Sequence, residues 1–165
     1  MRTAAIKIWR TDDNGSNGWF TTYKVPWPEG ETVLGTIQQI FEYQDPTLAF
    51  RFGCRFKRCG LCAMRISGDD QLACQVRLQD GMEIEPLRFL PVIRDLVVDR
   101  RPVLETLRSL EVYPDPEAQT GLGEWTNSDR ATRYYNTMNC VECYACHSMC
   151  PHVGEDGHPG AYILV

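Results

Sequence analysis

The sequence predicts an α+β fold, in which a small sheet crossed by one helix is followed by a second, helical region. Two observations indicate this fold. Segments of strand composition surround a single stretch with a helical period in the first half of the chain. The cysteines form two separate groups of four, one in each predicted region. A chain of 165 residues can hold two small domains.

The first half of the chain contains two predicted strands and a helix. Residues 5–10 and 18–25 have strand composition, and the Asn- and Gly-rich segment between them predicts a turn. Residues 33–44 change to a helical period. Its apolar side chains share one face: Val33, Leu34, Ile37, Ile40 and Phe41. Asp45 and Pro46 end this helix, because proline disfavours the helical conformation of the residue before it.

Two further strands are predicted after the first cysteine group. They lie at residues 62–67 and 82–86, with turns at residues 68–70 and 80–81. The chain is then expected to leave the sheet region around residues 91–99.

The second region is predicted to be helical. One helix begins near Asp99, tolerates Pro102 in its first turn and ends before Tyr113. Residues 113–127 are rich in proline, glycine and acidic side chains and indicate a linker or surface crossing. Residues 128–138 predict another helix that runs into the second cysteine group. We therefore expect one domain over residues 1–99 and the beginning of another over residues 100–165.

Composition excludes several classes of protein. The chain is 43% hydrophobic and 24% charged, and no apolar run is long enough to cross a bilayer. The N-terminus has no apolar segment of signal-peptide length, which argues against secretion. A net charge of −5 disfavours nucleic acid as the main partner.

The eight cysteines indicate metal binding rather than disulfides, because they are clustered at short spacings without a secretion signal. The first group is Cys54, Cys59, Cys62 and Cys74, in the pattern C-x4-C-x2-C-x11-C. Three thiolates from one tight loop and a fourth from further along are typical of the plant-type 2Fe–2S ferredoxin site. A zinc site is the alternative, although structural zinc usually takes two paired knuckles.

Two residues of the first loop are predicted to lie beside the cluster without binding iron. Gly60 has no side chain to obstruct the approach of backbone to cluster. Arg55 belongs to a basic rim with Lys57 and Arg58. One interpretation of this rim is a solvated surface; the other is that its charge favours the reduced cluster and raises the reduction potential.

The second group is Cys140, Cys143, Cys146 and Cys150, followed by Pro151 in the pattern C-x2-C-x2-C-x3-C-P. This is the bacterial ferredoxin run, in which three cysteines bind one cubane cluster and the fourth binds another cluster. One such run cannot complete either cluster. We therefore expect a chain that continues beyond Val165, with the missing ligands in later sequence or, as the alternative, on another subunit.

Both motifs in this order resemble the iron–sulfur subunit of succinate dehydrogenases and fumarate reductases. Further landmarks occur in family order: DPTLAF, CGLCAM, LAC and PVIRDLVVD, at residues 45–50, 59–64, 72–74 and 91–99. The resemblance implies a plant-ferredoxin-like β-grasp domain followed by part of an all-α bacterial-ferredoxin-like domain. It also implies a non-catalytic subunit that carries electrons between the FAD of a partner flavoprotein and a quinone at a membrane anchor.

The resemblance assigns a cluster to each cysteine. Cys54, Cys59, Cys62 and Cys74 match the 2Fe–2S ligands. The other four match ligands of two clusters: Cys140, Cys143 and Cys146 for 4Fe–4S, and Cys150 for 3Fe–4S. The implied location is the cytoplasmic face of the membrane, peripheral and within a complex, or the matrix side in a mitochondrion.

The sequence departs from the family after Pro151. Many quinone-reducing members have aromatic residues there, whereas this chain has His152 and Val153. The departure leaves open a related fumarate reductase with a thiol or heterodisulfide electron partner. A molybdenum-hydroxylase subunit and a zinc scaffold are further alternatives. Nearby histidines could replace cysteine on iron, but solvated positions or positions beside the cluster are expected instead: His147, His152 and His158.

Overall fold

The computed structural model describes residues 2–12, 15, 17–109 and 139–153. These residues form seven strands and three helices. The strands are β1 (Thr3–Thr11), β2 (Gly18–Pro26), β3 (Ala63–Ile66), β4 (Asp69–Leu72), β5 (Glu83–Glu85), β6 (Val92–Arg94) and β7 (Val97–Val98). The helices are α1 (Val33–Tyr43), α2 (Arg101–Ser109) and α3 (Ala145–Met149). The linker predicted at residues 113–127 and the helix predicted at residues 128–138 lie outside the described residues.

Five strands form one mixed sheet in the order β2-β1-β5-β3-β4. The β1–β2 hairpin is antiparallel and in continuous register from Thr3 opposite Pro26 to Thr11 opposite Gly18. Strand β5 lies parallel to β1 and antiparallel to β3, so it joins the two hairpins. The α+β class and the four predicted strands of this sheet are confirmed.

Helix α1 packs across the sheet through the apolar face that its period predicts, except that Phe41, expected on this face, is 40% exposed. Its buried side chains are Val33, Leu34, Thr36, Ile37 and Ile40. The hydroxyl of Thr32 accepts the Gly35 N–H at 3.1 Å and caps the helix, as threonine commonly does. At the other end, the Gln44 N–H donates to the Ile40 carbonyl at 2.8 Å, just before Asp45 and Pro46.

One prediction on the second half of the sheet region was wrong in detail. Residues 68–70 are not all turn: the turn lies at Ser67 and Gly68, and β4 begins at Asp69. Residues 91–99 leave the five-stranded sheet as expected, and within them β6 and β7 form a separate two-stranded sheet that turns at Asp95. Strand β4 is short and polar, and it forms because it pairs with β3 rather than because of strand propensity.

Helix α2 begins where the sequence predicts. The Asp99 carboxylate accepts the Arg101 N–H at 3.0 Å, and Pro102 falls in the first turn, where its missing N–H costs nothing. Among the described residues, no helix is sufficiently long and apolar to span a bilayer.

A polar network ties the first hairpin to the end of α1. Arg10 donates to the Tyr23 hydroxyl at 2.7 Å and pairs with Asp45, while the Tyr23 hydroxyl donates to Asp45 at 2.6 Å. Burial acts to raise the pKa of Asp45, but hydrogen bonds from Thr47 and Tyr23 outweigh it and hold that pKa well below its usual range. The Arg10 guanidinium also lies 3.1 Å from the buried Asp95 carboxylate, which attaches the β6–β7 turn.

Two hydrophobic clusters stabilise the fold. The larger one lies between α1 and the sheet and includes Ile6, Ile8, Ile37 and Ile84. The smaller one combines residues of both predicted domains: Ala63, Leu87, Leu90, Val98, Val103 and Tyr144. Through this second cluster, the segment that carries the second cysteine group packs against the sheet region.

Candidate iron–sulfur sites

The β3–β4 hairpin explains the spacing of the last two cysteines of the first group. Cys62 directly precedes β3 and Cys74 closely follows β4. Pairing of Ala63 with Leu72, and the 3.0 Å hydrogen bond from the Ala73 N–H to the Cys62 carbonyl, bring the two ends of the hairpin together. The two side chains therefore interact directly although eleven residues separate them.

The loop before this hairpin presents backbone N–H groups to the outer cysteines. The N–H groups of Phe56 and Arg58 donate to Cys54 Sγ at 3.3 and 3.2 Å, and the Cys54 N–H donates to Cys59 Sγ at 3.4 Å. Arg55 and Lys57, on either side of Phe56, have positive φ angles of 60° and 59°. This backbone conformation turns nearby N–H groups toward one side of the loop, where they form an anion-binding concavity. These backbone hydrogen bonds, that of Phe56 first, lower the pKa of Cys54 to about 7. The loop thus suits thiolate sulfur.

The inner cysteines differ from the outer pair in burial. Cys62 is 3% exposed and Cys74 is 9% exposed, whereas Cys54 and Cys59 are half-buried. Burial raises the pKa of Cys62 to about 12, and the neighbouring Cys74 and Cys59 thiols raise it further. Thiolates at the inner positions require positive charge beside them. Four adjacent sulfurs of this kind, with amide donors at the rim, fit a cluster of iron ions. In the described ranges, no group of three or more His, Cys, Asp or Glu side chains is arranged to hold a single metal ion.

Gly60 contacts the second cysteine group. Its φ of 63° is in the left-handed region, and a Cβ atom there would lie 2.1 Å from the Val141 carbonyl oxygen and 2.9 Å from the Cys143 backbone N. The absence of a side chain at Gly60 therefore lets the backbones of the two cysteine loops meet. The predicted role of Gly60 beside the first cluster stays a prediction; the structure adds this second reason for glycine.

Helix α3 separates Cys150 from the other cysteines of the second group. Cys146 lies in the first turn of α3 and Cys150 follows its last residue, Met149. Burial raises the pKa of Cys146, with further contributions from Cys143 and Cys140, which places these three sulfurs near one another. Cys150 is buried. The structure thus brings three cysteines together and places the fourth at the other end of a short helix.

Polar contacts of Ser148 and Arg100 attach the segment that carries the second cysteine group to the rest of the molecule. The Ser148 hydroxyl accepts the Arg88 N–H at 2.7 Å. Arg100 donates from Nη2 to the Gly60 carbonyl at 3.2 Å and from Nη1 to the Glu142 carbonyl at 3.3 Å. Its guanidinium carbon also lies 4.9 Å from the centre of the Tyr144 ring. Sequence reasoning missed Arg100, because its only signal is a position just before a helix.

The basic rim of the first loop lies on the surface. Lys57 and Arg58 are exposed, and the Arg55 guanidinium stacks 5.4 Å from the centre of the Phe52 ring. The hydrogen bonds to Cys54 come from the backbone of Phe56 and Arg58 rather than from Arg55. A role for the Arg55 side chain beside the cluster stays a prediction.

The three histidines are differently placed. His147 is buried, with Nε2 3.4 Å from the Phe89 carbonyl oxygen, and His152 is exposed. His158 lies outside the described residues. The expectation that none of them binds iron stays a prediction.

Comparison with known proteins identifies the family. Residues 5–105 match the model of a family described as a 2Fe–2S iron–sulfur cluster binding domain. The chain belongs to this family. The matched residues include all four cysteines of the first group, which favours the iron–sulfur interpretation over zinc.

Relatives of this iron–sulfur protein include subunits of fumarate reductases. One subunit of a fumarate reductase (CoM/CoB) from Methanothermobacter marburgensis is 35% identical, over 87% of this chain and 29% of its own length. A fumarate reductase iron–sulfur subunit from Haemophilus influenzae is 30% identical, over 81% of this chain and 59% of its own. The chain therefore spans between about a third and three fifths of these relatives.

A solved structure agrees with the iron–sulfur family. A chain of the Mycobacterium smegmatis Sdh1 complex in the apo form matches with a TM-score of 0.81 and 31% identity, covering 93% of this chain and 65% of its own. The resemblance to iron–sulfur subunits of succinate dehydrogenases and fumarate reductases is thereby confirmed, and the expectation of iron–sulfur cofactors is confirmed with it.

Proposed function

We propose that the protein is a non-catalytic electron-transfer subunit of a succinate dehydrogenase or fumarate reductase complex. It relays electrons between the FAD of a partner flavoprotein and a quinone at a membrane-anchor subunit. The main support is the family match over residues 5–105, which include the four cysteines of the first group. Backbone N–H groups in the loop of that group donate to Cys54 Sγ, which suits a thiolate ligand. The names of the relatives support an oxidoreductase complex.

The first cysteine group is proposed to hold a 2Fe–2S cluster. Such clusters, when bound, accept and donate single electrons, with a potential set by charge, hydrogen bonds to sulfur and solvent exposure. The outer thiolates Cys54 and Cys59 receive backbone hydrogen bonds, whereas the β3–β4 hairpin positions the buried Cys62 and Cys74. The amide donors hold the sulfur atoms of the outer cysteines in place. Burial of the inner cysteines limits the access of water to the site.

The second cysteine group is proposed to contribute to two clusters. Cys140, Cys143 and Cys146 are ligands of a 4Fe–4S cluster, and Cys150 is a ligand of a 3Fe–4S cluster. The grouping of three sulfurs near the start of α3, with Cys150 after its last turn, supports this division. All eight cysteines of the sequence are then used, so both clusters take further ligands that are not among these 165 residues.

The domain division follows from this assignment. Residues 1–99 form a plant-ferredoxin-like β-grasp domain, supported by the mixed sheet with α1 across it. Residues 100–165 form the beginning of a helical, bacterial-ferredoxin-like domain, supported by α2 and α3. We propose that the complex lies peripherally on the cytoplasmic face of the membrane, or on the matrix side in a mitochondrion.

Identification of the subunits that co-purify with the native protein tests this function. We expect native mass spectrometry to find an FAD-containing flavoprotein and a membrane anchor, together with iron and acid-labile sulfide on this chain. A complex with a thiol- or heterodisulfide-linked subunit in place of the anchor would contradict the quinone role. A protein without iron and sulfide would contradict the proposal as a whole.

A further inference from the structure

The two cysteine loops meet at one point in the fold. Gly60, between the ligands Cys59 and Cys62, lies against the backbone of Val141 and Cys143. Glu142 lies between Cys140 and Cys143 in the second loop. The carbonyls of Gly60 and Glu142 therefore mark the two sides of the contact between the loops.

Arg100 is hydrogen-bonded to both of these carbonyls. Nη2 donates to Gly60 and Nη1 to Glu142, so one planar guanidinium spans the junction. The ring of Tyr144 lies against the same guanidinium, 4.9 Å from its carbon. A guanidinium presents several N–H donors in one plane, so it can bind both acceptors at once while its charge lies between them.

The charge of Arg100 is partly buried and is not neutralised by an ion pair among the described residues. The side chain is half-buried, and its Nε is buried with no hydrogen-bond partner among the described residues. Burial lowers the pKa of Arg100, and the nearby Arg51 lowers it further. Tyr144, Cys143 and Glu142 act on this pKa in the opposite direction without outweighing burial.

We propose that Arg100 is a positioning residue that holds the two cysteine loops together and places a positive charge between them, so that it raises the reduction potential of both bound clusters. This inference rests on the proposed function, since it concerns the same two sites. Arg100 donates to the carbonyls of Gly60 and Glu142, which are the sequence neighbours of the ligands Cys59 and Cys143. Because a reduced cluster is more negative than an oxidised one, a positive charge at this position favours reduction. One residue thus contributes to the potentials of two successive electron carriers.

Coulomb's law gives the expected size of the effect. A unit charge about 10 Å away, at an effective dielectric constant near 20, changes an equilibrium constant by roughly tenfold. A tenfold change in a one-electron couple corresponds to about 59 mV. We therefore expect loss of the charge to weaken reduction of each cluster by about tenfold.

Redox titration followed by EPR tests the proposal on the full chain in its native complex. The variants are Arg100→Gln, which removes the charge but keeps a hydrogen-bond donor, and Arg100→Lys, which keeps the charge. Arg101→Gln is the matched control, because Arg101 is a neighbouring exposed arginine paired with Asp99 on the surface. We expect Arg100→Gln to lower the midpoint potentials of both clusters. Arg100→Lys should keep the equilibrium constant for reduction of each cluster within about threefold of its native value, and Arg101→Gln should change neither midpoint potential.

Other results would overturn the proposal. If Arg100→Gln retains both clusters at native midpoints, the charge has no such role. The same conclusion follows if Arg100→Lys shifts the midpoints as far as Arg100→Gln does. Should Arg100→Gln lose the second cluster, recovery of that cluster and of the native midpoint in Arg100→Lys supports the proposal, and failure to recover them overturns it. Absence of iron–sulfur signals from the native protein would instead contradict the proposed function.

Discussion

Replacement of Gly60 by alanine should destabilise the protein more than the same replacement of Gly81. The two glycines have similar backbone conformations, with φ of 63° and 79°. Alanine at either position carries the same left-handed strain of about 1–2 kcal/mol. Their surroundings differ, because a Cβ at Gly60 lies 2.1 Å from the Val141 carbonyl oxygen, whereas one at Gly81 has nothing within 4 Å.

The contact at Gly60 sets the size of the difference. The Val141 oxygen belongs to the main chain, so relief of the clash requires the two cysteine loops to separate. Overpacking of this kind costs about 1–3 kcal/mol. With the shared strain, the total is about 2–5 kcal/mol for Gly60→Ala against about 1–2 kcal/mol for Gly81→Ala.

Thermal unfolding under anaerobic conditions, followed by circular dichroism, measures this difference. For a chain of this size, 1 kcal/mol corresponds to about 2–4 °C in Tm. Gly60→Ala should therefore unfold about 2–12 °C below Gly81→Ala. Equal Tm values for the two variants would refute the direct contact between the loops.

Three further predictions concern stability. Ile37→Ala, at a side chain that is 0% exposed, should lower the free energy of unfolding by about 2–5 kcal/mol in urea denaturation; a loss below about 1 kcal/mol would contradict the packing of α1 on the sheet. Thr32→Ala should cost about 1 kcal/mol through loss of the helix cap, whereas Thr32→Ser should be nearly neutral. Asp45→Asn should be less stable at pH 7 by about 1–3 kcal/mol. Because the folded-state pKa of Asp45 is lowered, its carboxylate stabilises the native protein fully above the unfolded pKa of about 3.9, and this stabilisation is lost as pH falls below that value. The difference in free energy of unfolding between the native protein and Asp45→Asn should therefore narrow at low pH. A difference that is constant with pH would contradict the network.

Much of the candidate site could be predicted because cysteine spacing encodes it. The close spacing of Cys54, Cys59 and Cys62 requires a tight loop, and the structure shows one with amide donors to sulfur. The helical period at residues 33–44 likewise predicts α1, since its apolar side chains fall on one face. Short-range patterns therefore predict both the outer half of the first site and the helix that covers the sheet.

Contacts between distant residues could not be predicted in the same way. Strand β4 contains two aspartates and pairs only because β3 lies beside it. The β6–β7 turn is held by Asp95, which accepts N–H groups of Thr11 at 2.8 Å and of Ala49 at 2.8 Å. Arg100 lies 40 residues from Gly60 and 42 from Glu142, so no local pattern indicates that it joins them.

The proposed function depends first on a 2Fe–2S cluster held by Cys54, Cys59, Cys62 and Cys74. The most direct test compares EPR spectra of the reduced native complex with those of a complex carrying Cys74→Ser, since Cys74 is the ligand furthest along the chain from its loop. We expect the variant to lose or change the 2Fe–2S signal and to retain the signal that depends on Cys140, Cys143 and Cys146. An unchanged 2Fe–2S signal in Cys74→Ser would contradict the account.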